Sequence, residues 1–212
     1  MADYKKPDYW QQKARKEGYP ARSVYKLKEI DEKYGLFTNR LSGAFRVLDI
    51  GAAPGSWSLY VLRKTELIKK GGALVSVDLS PLSSELCREY DKGLFESGNF
   101  FFIQGDITEA RTRKTILSKG PYQAIISDAA PSTTGSRTVD SARSLELAAA
   151  AVDYAEKALE AGGMLALKVF QGGDSAALLK RMKTLFETAK SFKPQSCRGE
   201  SVETYFIGKK KK

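Results

Sequence analysis

The chain has 212 residues, of which 42% are hydrophobic and 28% are charged, and this length suits one well-buried domain rather than two. It contains no histidine, so a general base must be Asp, Glu, Lys, Tyr or Cys, and zinc chemistry is nearly excluded. No apolar run approaches the roughly 20 residues that cross a bilayer, and the N-terminus lacks a signal peptide's apolar core. We therefore expect a cytoplasmic monomer without metal, whose two cysteines, Cys87 and Cys197, are free thiols.

The net charge of +10 is concentrated at the two ends of the chain. Residues 1–28 carry eight Lys or Arg against three Asp or Glu, and residues 180–212 carry ten against three. Two basic ends favour an anionic partner, and contacts of Lys and Arg with phosphates would make its binding depend on salt. The alternative is a solubilising surface that ends in a frayed tail, Lys209–Lys212.

The predicted elements begin with a basic arm and a helix in residues 1–40, followed by an α/β domain in residues 41–212. Val24, Leu27 and Ile30 have helical spacing within 23–34, and Gly35 is a stop signal. Short apolar runs then predict strands at 45–50, 73–78, 99–103, 122–127, 163–169, 190–195 and 202–207. The intervening segments predict helices at 56–65, 82–95, 107–118, 139–161 and 174–188, of which 139–161 is ended by Gly162 and Gly163.

This alternation of strands and helices predicts an α/β fold in which a parallel sheet has helices on both faces. The apolar runs FFFI at 100–103 and AII at 124–126 are typical of central strands that are buried on both sides. The connection 196–201 is too short for a parallel crossover, so the last two strands should form an antiparallel hairpin.

Three predicted strand ends carry groups suited to a nucleoside ligand, because ligands of open α/β sheets bind beyond the carboxyl ends of the strands. The first is the turn 49–57, DIGAAPGSW, whose small residues and helix-start N–H groups allow a ligand to approach closely. Asp78 ends the next strand and suits ribose hydroxyls, and Asp106 follows the third and can accept from an adenine amino group. The alternative, three acids that cap helix starts, explains each acid singly but not the ordered set.

Three motifs together give the chain a family resemblance. LDIGAAPGSWS at 48–58, SDAAPSTTG at 127–135 and LALKVFQGGD at 165–174 closely resemble the FtsJ (RrmJ) family of ribosomal RNA 2′-O-methyltransferases. The resemblance extends from about Arg22 to Phe206. It implies a Rossmann-like fold with a mostly parallel seven-stranded sheet, S-adenosylmethionine as cofactor, and methylation of a uridine in the 23S rRNA of the large ribosomal subunit.

The resemblance also implies roles for individual residues. The family's Lys-Asp-Lys-Glu tetrad falls on Lys26, Asp128, Lys168 and Glu203, with Lys168 as the proton acceptor. The cofactor-binding positions fall on Gly51, Ala52, Ala53, Pro54, Gly55, Trp57, Asp78, Asp106 and Asp128.

The residues leave the charge state of Lys168 open. Burial in the apolar strand MLALKVF and the ammonium of Lys26 favour a neutral amine, whereas Asp128 and Glu203 favour the charged form. A neutral Lys168 can act as general base, which we favour, and a charged Lys168 can only steer the hydroxyl and stabilise a developing alkoxide. A third interpretation is a structural ion pair with Asp128.

The basic arm contains cations interleaved with Tyr4, Tyr9, Trp10 and Tyr19, which suit phosphates and unpaired bases. Three alternatives to ribosomal RNA methylation remain: methylation of tRNA or a messenger cap, a ribosome-assembly factor that does not depend on catalysis, and a small-molecule O-methyltransferase. Labelled-methyl transfer would identify the RNA, substitution of Lys168 with assembly as the readout would test the assembly factor, and low affinity for ribosomal particles would favour the small-molecule enzyme. The predicted RNA contacts are Lys5, Lys6, Lys13, Arg15, Lys16, Arg22 and Arg198.

Overall fold

The computed structural model describes residues 8–37, 45–65, 71–84, 91–172 and 174–212, and the elements named here lie within those ranges. The helices are α1 (Tyr9–Lys16), α2 (Val24–Tyr34), α3 (Ser56–Thr65), α4 (Lys92–Phe95), α5 (Ala110–Ser118), α6 (Arg137–Ala158) and α7 (Ser175–Leu185). The strands are β1 (Arg46–Ile50), β2 (Ala73–Asp78), β3 (Phe100–Gln104), β4 (Tyr122–Ser127), β5 (Leu159–Phe170), β6 (Phe186–Phe192) and β7 (Glu203–Lys211).

The strands of the described ranges form one seven-stranded sheet in the order β3-β2-β1-β4-β5-β7-β6. Strands β3, β2, β1, β4 and β5 pair in parallel, and β7 runs antiparallel to both of its neighbours. The predicted mostly parallel sheet with a C-terminal antiparallel hairpin is therefore confirmed. The strand order reverses between β1 and β4, so the crevice beyond their carboxyl ends is the expected ligand site.

Helices cover both faces of the sheet, because alternate residues of each strand point to opposite sides. On β1, Leu48 and Ile50 join a core with α5, α6 and α7, whereas Val47 joins a second core with α2 and α3. Both cores are built of fully buried aliphatic and aromatic side chains. The two packed faces hold the strand ends rigidly, which fixes the side chains that project beyond them.

Two predicted helices are too long at their C-terminal ends. The helix predicted at 139–161 ends at Ala158, and Leu159 already pairs with Tyr122 as the start of β5. The register then shifts across Gly162 and Gly163, so these glycines lie in a strand irregularity rather than ending a helix. The helix predicted at 174–188 ends at Leu185, because buried Phe186 pairs with Lys211.

The expectation that FFFI is a central strand is wrong. Strand β3 is the sheet edge, and Phe100–Ile103 are only half-buried, whereas the AII run of β4 is central and fully buried. The edge is apolar because other groups cover it locally. Lys119 Nζ lies 3.5 Å from the Phe101 ring centroid, and Phe95 contacts the edge of the Phe100 ring.

Other boundaries also differ from the sequence predictions. Of the helix predicted at 82–95, residues 82–83 are not helical, 85–90 lie outside the described residues, and only Lys92–Phe95 is helix. The helix predicted from 107 begins at Ala110, because Asp106 folds back on Thr108 in a turn. The end of the chain is not a frayed tail, since β7 continues to Lys211.

The described part of the N-terminal arm is folded against the domain. Asp8 and Gln11 form a capping box that starts α1, and Ala14 and Tyr19 are buried in the same core as α2. Trp10 packs against Tyr25 with ring centroids 4.9 Å apart. The boundary predicted after residue 40 lies in 38–44, outside the described residues. In the part of the chain that the structure describes, no helix combines the length and apolarity needed to span a membrane.

Candidate active site

The turn after β1 forms a tight cradle at the centre of the sheet's carboxyl edge. Gly51 has φ of 75°, and its N–H donates to the Val77 carbonyl at 2.9 Å. A Cβ on Gly51 would lie 2.5 Å from the backbone of Ala129, the residue after Asp128. The Gly55 N–H donates to the Ala52 carbonyl at 2.6 Å, which closes the turn before α3. Only glycine fits at position 51, and its absent side chain lets β1 and β4 approach closely.

We expect Gly51→Ala to weaken binding of S-adenosylmethionine at least about tenfold and to lower the free energy of unfolding by about 2–3 kcal/mol. The matched control is Gly71→Ala, because Gly71 has the same φ of 75° and no atom of the described residues lies within 4 Å of the added Cβ. Calorimetric binding and urea unfolding would measure both effects. Equal losses in the two variants would mean that crowding against Ala129 has no role.

The two further acids also lie at this edge, each held by backbone N–H groups. Asp78 accepts from the N–H of Ala53 at 2.9 Å and from that of Ser80 at 2.8 Å. Asp106 accepts from the N–H and the hydroxyl of Thr108, each at 2.7 Å, and these hydrogen bonds lower the pKa of its carboxyl. Both carboxylates are therefore fixed as acceptors. The ordered set of strand-end groups predicted from the sequence lies together.

Leu79 is a feature of this edge to which the sequence analysis assigned no role. It is 68% exposed, among the most exposed large hydrophobic side chains of the described residues, and it directly follows Asp78. An apolar residue just past the carboxyl end of β2 has no core to pack into. That position in the sequence could have identified Leu79 as part of a ligand-binding surface. It supplies apolar surface beside two acceptors, as nucleoside pockets require.

Trp57, predicted to contact the cofactor, is 2% exposed and joins two helices. Its Nε1 donates to the Ser23 carbonyl at 2.9 Å, and its ring lies 6.0 Å from that of Tyr205. These contacts tie the start of α2 to α3, so Trp57 positions the helix that carries Lys26.

The four side chains of the predicted tetrad converge, although they come from positions 26 to 203 of the chain. Lys168 Nζ donates to the Asp128 carbonyl at 2.6 Å and lies 3.1 Å from Asp128 Oδ1. Lys26 Nζ donates to Glu203 Oε2 in a short ion pair. The two lysine side chains are only 6% and 11% exposed. Two buried lysine amino groups are thus interleaved with two carboxyl groups beside the Gly51 cradle.

Mutual electrostatics hold the carboxyl of Asp128 ionised and the amino group of Lys26 protonated. Burial acts to raise the pKa of Asp128, but Lys168, Lys26 and the Tyr205 hydroxyl outweigh it and hold the pKa below its usual value. Burial acts to lower the pKa of Lys26, but Asp128 and Glu203 outweigh it and raise the pKa. The mutual dependence of these shifts indicates that the four groups form one electrostatic unit.

Tyr205 belongs to this unit and was missed in the sequence. Its hydroxyl donates to Asp128 Oδ1 at 2.7 Å, and its backbone is paired with Lys168 across β5 and β7. Tyr205 follows Glu203 by two residues, so both project from the same face of β7. This spacing of two residues along a predicted strand could have shown from the sequence that Tyr205 lies beside Glu203.

Asp49 is a fifth acidic group next to the cradle, and it is fully buried. Its Oδ2 accepts from the Ser58 hydroxyl at 2.7 Å, but its Oδ1 has no hydrogen-bond partner among the described residues. Burial, together with the charges of Asp128 and Asp78, raises the pKa of Asp49 to about 7 despite the Ser58 hydrogen bond. A poised, incompletely satisfied carboxyl beside a cleft is typical of a functional site.

The residues predicted to contact RNA differ in their exposure to solvent and in the contacts they already make within the protein. Lys5 and Lys6 lie outside the described residues. Arg15 and Lys16 are exposed on α1, and Arg198 is exposed in the connection between β6 and β7. Lys13 lies over the rings of Trp10 and Tyr25, and Arg22 donates to Asp8 and to the Ser196 carbonyl. Arg22 therefore has a structural role in the fold, whatever else it contacts.

Comparisons with known proteins find one matching family and many related sequences. An FtsJ-like methyltransferase family model matches residues 19–211. A protein of Treponema denticola named ribosomal RNA large subunit methyltransferase E is 49% identical over 97% of this chain and 95% of its own length. A protein of the same name from Treponema pallidum is 41% identical over 99% of this chain and 96% of its own.

Solved structures give the same picture of the fold. The crystal structure of a putative ribosomal RNA methyltransferase from Plasmodium falciparum superposes with a TM-score of 0.71 at 27% identity, covering 91% of this chain and 98% of that one. Human methyltransferase-like protein 13 in complex with SAH superposes with a TM-score of 0.60 at 16% identity, covering 87% and 82%. The second likeness concerns the fold alone. Among the described residues there is no cluster of three or more potential metal ligands.

Proposed function

This chain belongs to the FtsJ-like methyltransferase family, and from that premise we propose that it transfers a methyl group from S-adenosylmethionine to a ribose 2′-oxygen of ribosomal RNA. The observation that carries the proposal is the convergence of Lys26, Asp128, Lys168 and Glu203 beside the Gly51 cradle. Two lysine amino groups and two carboxyl groups in one cluster can orient a hydroxyl and accept its proton.

The residues at the cleft fit S-adenosylmethionine. The tight turn at Gly51, which packs against Ala129, leads directly into α3, and helix-start N–H groups suit the carboxylate of the ligand's amino-acid part. Asp78 offers acceptors to ribose hydroxyls, Asp106 to an exocyclic amine, and exposed Leu79 an apolar surface to a flat base. When bound, the cofactor supplies a methyl group activated on a sulfonium.

Lys168 is the residue that receives the substrate hydroxyl in this proposal. A neutral amine has two N–H donors, and two Asp128 oxygens, the carbonyl and Oδ1, are within reach of them. The lone pair of Lys168 then remains for the ribose 2′-hydroxyl, and Lys168 accepts its proton as the oxygen attacks. Asp128 is held in place by Tyr205 and therefore orients Lys168.

Lys26 completes the site from the opposite side. Its raised pKa keeps it an ammonium, which can donate to the 2′-oxygen and stabilise negative charge that develops there. Glu203 balances that charge within the buried cluster and fixes the Lys26 side chain. The positions of both lysines are therefore set by carboxylates, which is the preorganisation that in-line transfer requires.

The preference for ribosomal RNA, and within it for a uridine of 23S rRNA in the large subunit, rests on the family resemblance and the relatives' names. The basic ends of the chain support a polyanionic partner in general. The target ribose must be exposed or flipped out for its 2′-oxygen to reach Lys168. Labelled-methyl transfer to large ribosomal subunits, naked ribosomal RNA and tRNA tests this, and we expect label in ribosomal RNA. Transfer to tRNA alone would contradict the proposal.

The exposed cations of α1 give a more specific expectation for RNA binding. We expect the double variant Arg15→Ala, Lys16→Ala to raise the KM for RNA several-fold while the affinity for S-adenosylmethionine is unchanged. Loss of two phosphate contacts should also flatten the slope of log KM against log salt by about 1.5. The control is Lys114→Ala, an exposed lysine of α5 on the other face of the sheet. An unchanged salt slope would exclude α1 from the RNA interface.

A further inference from the structure

The side of α2 that carries Lys26 also holds the loop between β6 and β7, residues 193–202. Glu29 lies three residues after Lys26, so the two side chains share one helix face. Glu29 Oε2 accepts from the Gln195 N–H at 2.6 Å, and its Oε1 accepts from the Ser196 N–H at 2.8 Å. Arg22, just before α2, donates to the Ser196 carbonyl. One segment of chain thus holds both the N–H and the carbonyl of a single loop residue, Ser196.

The Glu29 contacts fix the start of a loop whose end carries Glu203. A carboxylate that accepts two successive backbone N–H groups sets both position and orientation, because each charge-assisted bond is directional. At the other end of the loop, the Gln171 N–H donates to the Val202 carbonyl at 2.8 Å. Glu203 follows directly and pairs with Lys26. Of the residues that hold the two ends of the loop, Glu29 lies on the same helix as Lys26.

We propose that Glu29 is a positioning residue, which holds the β6–β7 loop in the path that brings Glu203 to Lys26. The helix would then set both members of the pair: it carries Lys26 directly and places Glu203 through the loop. The inference rests on the proposed function only in the experiments that measure methyl transfer. Its geometry concerns the Lys26–Glu203 pair, whatever the substrate.

Glu29→Gln tests the role with little change in shape. The amide keeps one acceptor but turns N–H donors toward one of the two loop N–H groups, so one bond is lost. We expect kcat to fall about fivefold through misplacement of Lys26, with unchanged KM for S-adenosylmethionine and unchanged α2 packing. The matched control is Glu32→Gln, an exposed carboxylate on the same helix. Equal effects of the two variants would overturn the proposal.

A double-variant cycle separates positioning from general support of the fold. If Glu29 acts through Glu203, the variant with both Glu29→Gln and Glu203→Gln should lose no more activity than Glu203→Gln alone. Independent, additive losses would contradict the proposal. A merely structural role would instead lower Tm equally in both backgrounds and produce that additivity.

An NMR titration of the Lys26 ammonium gives a readout that needs no methyl transfer. The groups that act on this ammonium are Asp128, Glu203 and Cys197, and loss of the Glu203 contact should lower the pKa of Lys26 in Glu29→Gln but not in Glu32→Gln. An unchanged Lys26 titration would refute the positioning role. If the wild-type chain methylated no RNA, the proposed function would fail while this titration still decided the role of Glu29.

Discussion

Replacement of Lys168 by alanine should reduce methyl transfer by at least about 10³-fold while S-adenosylmethionine still binds. A general base typically contributes about 10²–10⁴-fold and a single electrostatic donor about 10²–10³-fold, and Lys168 is placed for both. Its Nζ contacts two oxygens of Asp128 and its side chain is 6% exposed, so the amino group is held in a defined position. Single-turnover transfer and calorimetric cofactor binding would measure the two effects separately.

A second substitution decides between the roles that the sequence leaves open for Lys168. Arginine keeps the positive charge and the donors but stays protonated, so it cannot act as a base. Lys168→Arg should therefore be nearly as inactive as Lys168→Ala if Lys168 accepts the proton. Substantial activity in Lys168→Arg would assign it to steering alone, and normal activity in Lys168→Ala would reduce it to a structural partner of Asp128. Tm measurements on both variants would control for loss of the fold.

Asp49 should make the stability of the protein depend on pH in a direction unusual for a carboxyl group. Its pKa is about 7 in the folded chain and near the ordinary 3.8 when unfolded, so the folded state binds the proton more tightly. Above pH 3.8 the unfolded state ionises first, and the free energy of unfolding falls as the pH rises toward 7. Above pH 7 the accumulated loss from this fully buried group is about 4 kcal/mol.

Asp49→Asn should remove that component, because the amide stays neutral at every pH. The difference in free energy of unfolding between Asp49→Asn and wild type should therefore grow by about 4 kcal/mol in favour of the variant between pH 4 and pH 8. Urea unfolding of the ligand-free protein at a series of pH values would measure this difference. Asp128 contributes in the opposite direction, but its lowered pKa lies below this pH range, so it stays ionised in both folded proteins. A constant difference across the range would refute the assignment.

The groups that could be predicted from the sequence are those placed by local signals. Asp78 and Asp106 follow predicted strands, and parallel strands bring such ends to one edge, so their convergence follows from the fold class. The meeting of Lys26 and Glu203 has no local signal, because 177 residues separate them in sequence. The family resemblance implied only that both belong to one tetrad, and the structure brings the two side chains into an ion pair.

The parts that could not be predicted depend on contacts between distant segments. Leu159 continues a helical pattern, yet pairing with Tyr122 makes it a strand residue. The apolar run of β3 suggests a central strand, but the ring contacts of Phe95 and Lys119 cover it at the edge instead. In the sequence, Glu29 resembles an ordinary surface residue of a helix. Its role becomes visible only in the structure, where it contacts a loop residue that is 166 positions away in sequence.

The most direct test of the central claim is the position of the transferred methyl group on RNA. After transfer of labelled methyl from S-adenosylmethionine to ribosomal RNA, the product is hydrolysed completely with alkali, which cleaves only beside a free 2′-hydroxyl. If the cluster of Lys26, Asp128, Lys168 and Glu203 directs the methyl to a ribose 2′-oxygen, the label remains in an alkali-resistant dinucleotide. Label in mononucleotides would place the methyl on a base and contradict the account.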